Sequence, residues 1–337
     1  EIYSVLMTIS TATAPDIRRS RSILFIIITS LLSVVAVLLF IAISAHFPLN
    51  QSRQSNSTPI INENCGLDNG INCCYMNAIL QGIRDIEPFK TLIAEADTVI
   101  DPHDPLIKSL NRLLSELSSQ NTMNDVVREC RDEILAALQG SNNEFANNPS
   151  GQHDIDEAYG TLMNIVENSL QTHPELLKQF QKLFAIETGS VTDSKYLVRL
   201  PIPEQTDRPE SIDLVSLIKE CSPILDRFPM VLALSLGRSS YVNQKIVKVL
   251  TPIEIPMEMQ VDSTCNNDTS SKYRLYAIMD HEGQRSNSGH FTAFVSGNDA
   301  NWRQFNDMQV SRVSIEEALH RLKSSAYFLL YVKVPKS

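Results

Sequence analysis

Apolar residues recur along this chain in three rhythms, and each marks a different part of it. From Ile23 to Ala45 they run as 23 residues without a charge, long enough as a helix to cross a hydrocarbon core of roughly 30 Å. The run predicts a transmembrane helix over 23–45, after an N-terminal tail (1–22) and before a flexible linker (46–62) that contains the polar stretch NQSRQSNST. Signal peptides have shorter apolar cores of about 7–15 residues, although Ala42 and Ser44 leave a cleavage site open. A buried soluble helix would need a polar face, and Thr29, Ser30, Ser33 and Ser44 are all the run offers.

Past residue 63 the rhythm becomes helical. Leu106, Leu110, Leu113, Leu114 and Leu117 fall at helical spacing between Pro105 and Leu117, as do Val126, Val127, Cys130, Ile134 and Leu138 between Asp125 and Leu138. Residues 74–81 favour helix as well. Gly140 predicts a stop, SNNEFANNPSG a polar connection, and a third helix runs from about Asp154 to Ser169. The second half turns to short β-rich runs: YLVRLPIP at 196, PMVLALSLG at 229, KIVKVL at 245, YRLYAIM at 273, HFTAFVS at 290 and a closing AYFLLYVKV. Helices followed by strands predict an α+β domain over 63–337.

Charge and cysteine usage narrow the picture. A net charge of −10 excludes an extended basic face, so no nucleic-acid partner is expected, while a basic protein substrate is compatible. Cys65, Cys73, Cys74, Cys130, Cys221 and Cys265 show no framework spacing, which predicts reduced thiols. Arg18, Arg19 and Arg21 precede the apolar run and only Arg53 follows it closely, so the positive-inside rule sends the bulk of the chain across the membrane.

A thiol protease needs a thiolate, a histidine, a group that orients the imidazole, and donors for the developing oxyanion. Two segments contain such residues. In GLDNGINCCYMNAILQ (66–81) an irregular loop feeds a helix beginning near Cys74, where the positive end of the helix dipole is expected to lower the thiol pKa, and Asn69 lies five residues earlier. In YRLYAIMDHEGQRSNSGHFTAFVSGNDANWRQFND (273–307), Gly289 and His290 stand at the start of a strand, and Asn306 follows at a spacing that two antiparallel strands can bring beside the histidine.

Both segments resemble the cysteine and histidine boxes of the ubiquitin-specific proteases, and GQHDIDEA at 151, VRLPIP at 198 and PMVLALSLGR at 229 are similar to intervening pieces of that family in the same order. The resemblance covers about residues 64–334. It implies a papain-like hand, with a helical thumb, a β-sheet palm and a reduced fingers hairpin near 184–200. It also implies Cys74 as nucleophile, His290 as general base, Asn306 as its orienting partner with Asp307 assisting, and Asn69 as oxyanion donor. Asp154 and Glu157, three apart on a helix, resemble carboxylates that hold the basic tail of ubiquitin; their other reading is an acidic first turn. Gly289 belongs with the tail channel, and His281 with Gly283 shapes a loop over it. Cys73 stands where the family has threonine and reads as a packed thiol, with attack by Cys73 as the alternative.

Two departures stand out. The family's glycine two residues after the oxyanion asparagine is Ile71 here, with Gly70 before it, a swap that leaves the oxyanion hole in doubt until substrate binds. The family's zinc-binding C-x-x-C pairs are absent from FAIETGSVTDSKYLVRL, so no metal, zinc or other cofactor is expected. The expectation is a membrane-anchored deubiquitinating thiol protease whose partners are ubiquitin or ubiquitinated proteins. Its catalytic domain faces a reducing cytosol, that of a host if the chain is a secreted bacterial effector. The alternatives are a silent ubiquitin-binding module and a protease for a ubiquitin-like modifier.

Overall fold

The amphipathic stretches of the first half fold as helices whose ends are set by local chemistry. The computed structural model describes residues 65–335 apart from 102–103, 120–122, 189–194, 204–210, 222–224, 228, 243–244, 263–269, 286–287 and 298–300. Helix α1 (Cys74–Ile83) is buried along its whole length, α2 spans Glu87–Val99 and α3 Pro105–Leu117. Asp104 starts α3 by accepting the Leu106 and Ile107 amides at 3.0 and 3.3 Å, and Pro105 at its first turn lacks the donor that would otherwise go unmatched. The predicted leucines are its buried face. Helix α4 (Asn124–Ser141) runs through Gly140 rather than stopping there.

The polar connection expected next is itself a helix, α5 (Asn143–Asn147), capped by Asn142. Phe145, 1% exposed, explains it: its ring sits 4.3 Å from that of His153 and 6.4 Å from that of Tyr75, so one aromatic anchors a run that periodicity reads as loop. Helices α6 (Ile155–Ser169) and α7 (Pro174–Phe184) complete the helical half.

In the second half, strand β1 (Glu187–Thr188) pairs with β4 (Leu225–Arg227), β3 (Ile212–Asp213) with β8 (Ile253–Glu254), and β6 (Ser239–Val242) with β7 (Lys245–Lys248). The eight-stranded sheet runs β13 (Gln309–Val313), β12 (Trp302–Asn306), β11 (Ser288–Ser296), β10 (Ser270–Arg285), β14 (Ala326–Lys333), β5 (Val231–Gly237), β2 (Val198–Pro201), with β9 (Glu258–Asp262) also on β10. All its pairs are antiparallel except β2 with β5. Among the described residues, β1 pairs with β4 while β2 buries Val198 and Leu200 in the main sheet, so these two strands do not pair as the fingers hairpin expected near 184–200.

Both faces of this sheet are covered. Ala277, Met279, Ala293, Phe328 and Leu330 join the core of the helical half, whereas the intervening Ile278, Phe294 and Leu329 join a second core with Leu214, Leu217 and Ile218 of α8 (Leu214–Cys221) and Ala318 and Leu322 of α9 (Ile315–Leu322). Burial on alternate sides makes these strands read as continuous apolar runs.

The membrane localisation expected from sequence is corrected here. Among the described residues no helix is long and apolar enough to cross a membrane. The longest, α4, carries Asp125, Arg128, Glu129, Arg131, Asp132 and Glu133. The predicted span 23–45, the tail 1–22 and the linker 46–62 lie outside the described residues, and a single-pass membrane localisation is not carried forward.

Candidate active site

Cys74 opens α1, delivered by a loop that is pinned at several points. The Cys73 amide donates to the Asn69 carbonyl at 3.0 Å, the Gly70 amide to Asp68 Oδ1 at 2.8 Å, and Asn72 Nδ2 to the Ser150 carbonyl at 2.8 Å. Gly70 and Asn72 take left-handed backbone, with φ of 52° and 56°, a region open to glycine and tolerated by asparagine. Ile71, between them, is 69% exposed. The left-handed positions of the turn thus fall on either side of Ile71, at Gly70 and Asn72. The side-chain oxygen of Asn69 is buried without a hydrogen-bond partner.

The thiol of Cys74, 1% exposed, is shifted upward, opposite to the expectation from its helix position. Burial is the main cause and Asp307 adds to it, while the backbone at Phe291 opposes it. Desolvation of a thiolate outweighs the end of a short helix here. Cys73 donates to the Ile71 carbonyl at 3.4 Å, and burial pushes its thiol up against the pull of Arg131.

The register Ala293↔Phe305 between β11 and β12 sets Asn306 one diagonal step from His290 on the same face. Their side chains meet at 2.7 Å, His290 Nε2 to Asn306 Oδ1. Nδ1 is left as the ring nitrogen that can serve Cys74, and the two residues share no hydrogen bond at rest. Asp307, with φ of 50°, links the halves: its carbonyl accepts the Leu67 amide at 3.0 Å, Oδ1 accepts Asn77 Nδ2 at 2.8 Å, and Oδ2 lies 3.6 Å from His290 Nε2. His290, Asn306 and Asp307 thus meet at one end of the sheet and are tied through Asn77 to α1, the helix that Cys74 opens.

Asp154 and Glu157 do not take a common partner. Asp154 caps α6 and accepts from Tyr327 of β14 at 3.2 Å, whereas Glu157 accepts from Asn142 at 3.1 Å. Asp154 Oδ1 also accepts the Asp156 amide at 3.3 Å, and the Asp156 carboxylate in turn accepts from Arg199 at 2.9 Å and Ser235 at 3.1 Å. His281 is buried under the hairpin: its ring lies 4.5 Å from that of Phe291, Lys248 donates to its carbonyl at 2.5 Å and to that of Gly283 at 3.0 Å, and burial with the Lys248 charge pushes its pKa down to about 4. Gly289 passes so close that a Cβ would meet His281 Nε2 at 2.5 Å. Its amide donates to Gln152 Oε1 at 2.8 Å and its carbonyl accepts from Gln152 Nε2. Gln152 and Lys248 escape sequence reasoning. Gln152 lies inside the segment similar to the family's helix start, which was the available signal; Lys248 carries none.

A thiol, an imidazole and an amide bonded to that imidazole, with an asparagine in the preceding loop, are the residue types a thiol acyl-transfer site requires. The family model described as ubiquitin carboxyl-terminal hydrolase matches residues 65–331. Ubiquitin carboxyl-terminal hydrolase 21 of Arabidopsis thaliana is 31% identical over 119 residues, covering 34% of this chain and 16% of its own length. Ubiquitin carboxyl-terminal hydrolase 7 of Caenorhabditis elegans is 24% identical over 329 residues, covering 80% of this chain and 27% of its own. The chain thus spans less than a third of these curated relatives. Among solved structures, the SAGA Ubp8/Sgf11/Sus1/Sgf73 DUB module aligns with a TM-score of 0.65 at 20% identity, covering 84% of this chain and 71% of that one. The same module bound to ubiquitin aldehyde gives 0.59 at 19%, covering 84% and 72%. At such identity the likeness establishes the fold, one of mixed helix and sheet. The relatives named here are eukaryotic and lend no support to a bacterial effector.

Proposed function

This chain belongs to the ubiquitin carboxyl-terminal hydrolase family, and from that premise we propose that it is a deubiquitinating thiol protease acting on the isopeptide bond at the ubiquitin C-terminus. The observation that carries the reading is the 2.7 Å contact of His290 Nε2 with Asn306, which fixes the imidazole with Nδ1 free, beside the start of α1. Because burial holds the Cys74 proton on sulfur, the reaction begins from the thiol. His290 Nδ1 takes the thiol proton as sulfur attacks the terminal carbonyl, and Asn69 receives the oxyanion. His290 then returns the proton to the departing lysine amine as the C–N bond breaks, and water hydrolyses the thioester.

Asp307 acts by holding α1 and the loop to the sheet. In this reading Asp154, Glu157 and the Gly289 hairpin border the channel for the basic tail, and ubiquitin's body is gripped with little help from fingers. A second reading, a silent ubiquitin-binding module, is favoured by the missing thiol–imidazole bond. Incubation with a ubiquitin C-terminal electrophile separates the two. Labelling at Cys74, lost in Cys74→Ala, supports the protease; ubiquitin binding with neither labelling nor turnover supports the binding module and defeats the protease.

A further inference from the structure

The loop that carries Asn69 and delivers Cys74 is held by a side chain that the chemistry does not use. Arg131, on α4, is 1% exposed. Its Nη1 donates to the Asp68 carbonyl and lies 3.3 Å from Asp68 Oδ1, while Nε and Nη2 donate to Asp132 Oδ1 at 3.0 and 2.8 Å. The same Asp68 Oδ1 accepts the Gly70 amide at 2.8 Å, and the Asp68 carbonyl also accepts Asn77 Nδ2 at 2.9 Å. Asp68 therefore closes the turn of its own loop and presents that turn to a buried fork. Gly70 lies against the fork: a Cβ there would stand 3.0 Å from Arg131 Nη2 and 3.4 Å from Cys73 Sγ. The turn thus needs its glycine at 70 for two reasons, the left-handed φ and the guanidinium beside it.

We propose that Arg131 is a positioning residue for the reaction: through Asp68 and Gly70 it sets the loop that places Asn69 and the first turn of α1 before substrate arrives. The inference rests on the protease reading above. Burying a guanidinium is costly unless its donors are met, and here they are met by the loop carbonyl and two carboxylates. Lysine has the charge but not the planar fork that spans Asp68 and Asp132 together. Asn69 and Cys74 contribute only if their positions are fixed before attack, so loosening the loop lowers kcat and leaves ubiquitin's grip on the rest of the domain.

The test uses the full chain carrying Arg131→Lys, Arg131→Gln, Asp68→Ala, the double variant Arg131→Gln/Asp68→Ala, and Ile71→Ala. Each is assayed with a fluorogenic ubiquitin C-terminal amide and by hydrogen exchange of the peptide covering 66–73. For the Arg131 and Asp68 variants we expect kcat lower by about 10- to 100-fold with KM within about two-fold. Exchange should quicken in 66–73 and stay unchanged in β10 and β11. The double variant should lose no more than the worse single, and Ile71→Ala, with its side chain in solvent, should match the wild type. Asp68 is partly exposed and Asp68→Ala is the variant that decides if the Arg131 variants do not fold. A kcat within about two-fold of wild type, additive losses, or unchanged exchange in 66–73 would overturn the proposal. If the wild type does not turn over ubiquitin, the protease reading fails separately, and loop exchange alone decides whether Arg131 sets the loop.

Discussion

At the scale of single residues, the two adjacent thiols should behave differently. Cys74 stands at the first turn of α1 with its thiol toward the backbone of Phe291, the neighbour of His290, whereas Cys73 bonds to the carbonyl of Ile71 and packs beside Arg131. Cys74→Ala should abolish ubiquitin cleavage and Cys73→Ala should retain most of it; cleavage surviving in Cys74→Ala would reassign the nucleophile. Burial, seconded by Asp307, raises the Cys74 pKa, so the resting enzyme carries thiol and not thiolate. The ultraviolet thiolate absorbance that distinguishes wild type from Cys74→Ala should therefore emerge only on the alkaline side of the ordinary thiol range. Its presence at acidic pH would mean a preformed thiolate–imidazolium pair. Asp154 gives a second titration. Burial and then the Asp156 charge push it up to about 7. Burial opposes ionisation of Asp156 too, but hydrogen bonds from Asp154 and Arg199 hold that group below its usual range. Between the free carboxyl range and about 7 the folded chain keeps a proton that the unfolded chain has lost, so stability falls as pH rises through that window and levels off above it. Asp154→Asn, which preserves the cap acceptor, should flatten this fall and raise Tm above neutrality while raising KM for ubiquitin. A lower Tm throughout would show that the charge is not strained, and an unchanged KM would remove Asp154 from the tail channel.

At the scale of elements, the hairpin of β10 and β11 is held to the helical half by Gln152, whose amide gives and accepts a bond at Gly289. Gln152→Ala removes both bonds, each contributing on the order of 1 kcal/mol, and sits next to the strand that carries His290. It should quicken hydrogen exchange across 282–290 and lower kcat/KM, with Tm falling by only a few degrees. Exchange as slow as in wild type would show that Lys248, with its bonds to the His281 and Gly283 carbonyls, suffices alone. How much of such an element was legible beforehand depended on redundancy. Helix α3 announced itself because its leucines all fall at one helical spacing. Helix α5 did not, since a single phenylalanine carries no period. The strands were legible as apolar runs, but β1 finding β4 instead of β2 is a long-range choice that two residues do not encode. Cys74 and His290 stood out through the long motifs that contain them. Arg131 was not, because the same residue that clamps the loop reads in sequence as one more charge on an amphipathic helix.

At the scale of the whole domain, the helical half and the sheet half are not separable bodies. Alternate residues of β10, β11 and β14 belong to two different cores. Helix α1, buried on every side, packs against β10, β11 and α6 at once. Trp302, the single tryptophan of the chain, lies in the second core, on the side of the sheet away from α1. Its fluorescence therefore follows the sheet, while far-ultraviolet circular dichroism is dominated by the helices. If the sheet couples the two cores, urea unfolding followed by either signal should give one midpoint. Ile79→Ala in α1, a fully buried site, should cost about 2–5 kcal/mol from lost burial and the cavity left behind. That loss should move both midpoints together even though Ile79 does not belong to the core that holds Trp302. A dichroism transition that moves while the fluorescence transition stays would show the halves folding independently. Cys74 and His290, carried on opposite halves, would then owe their alignment to the Asp307 and Gln152 bonds alone.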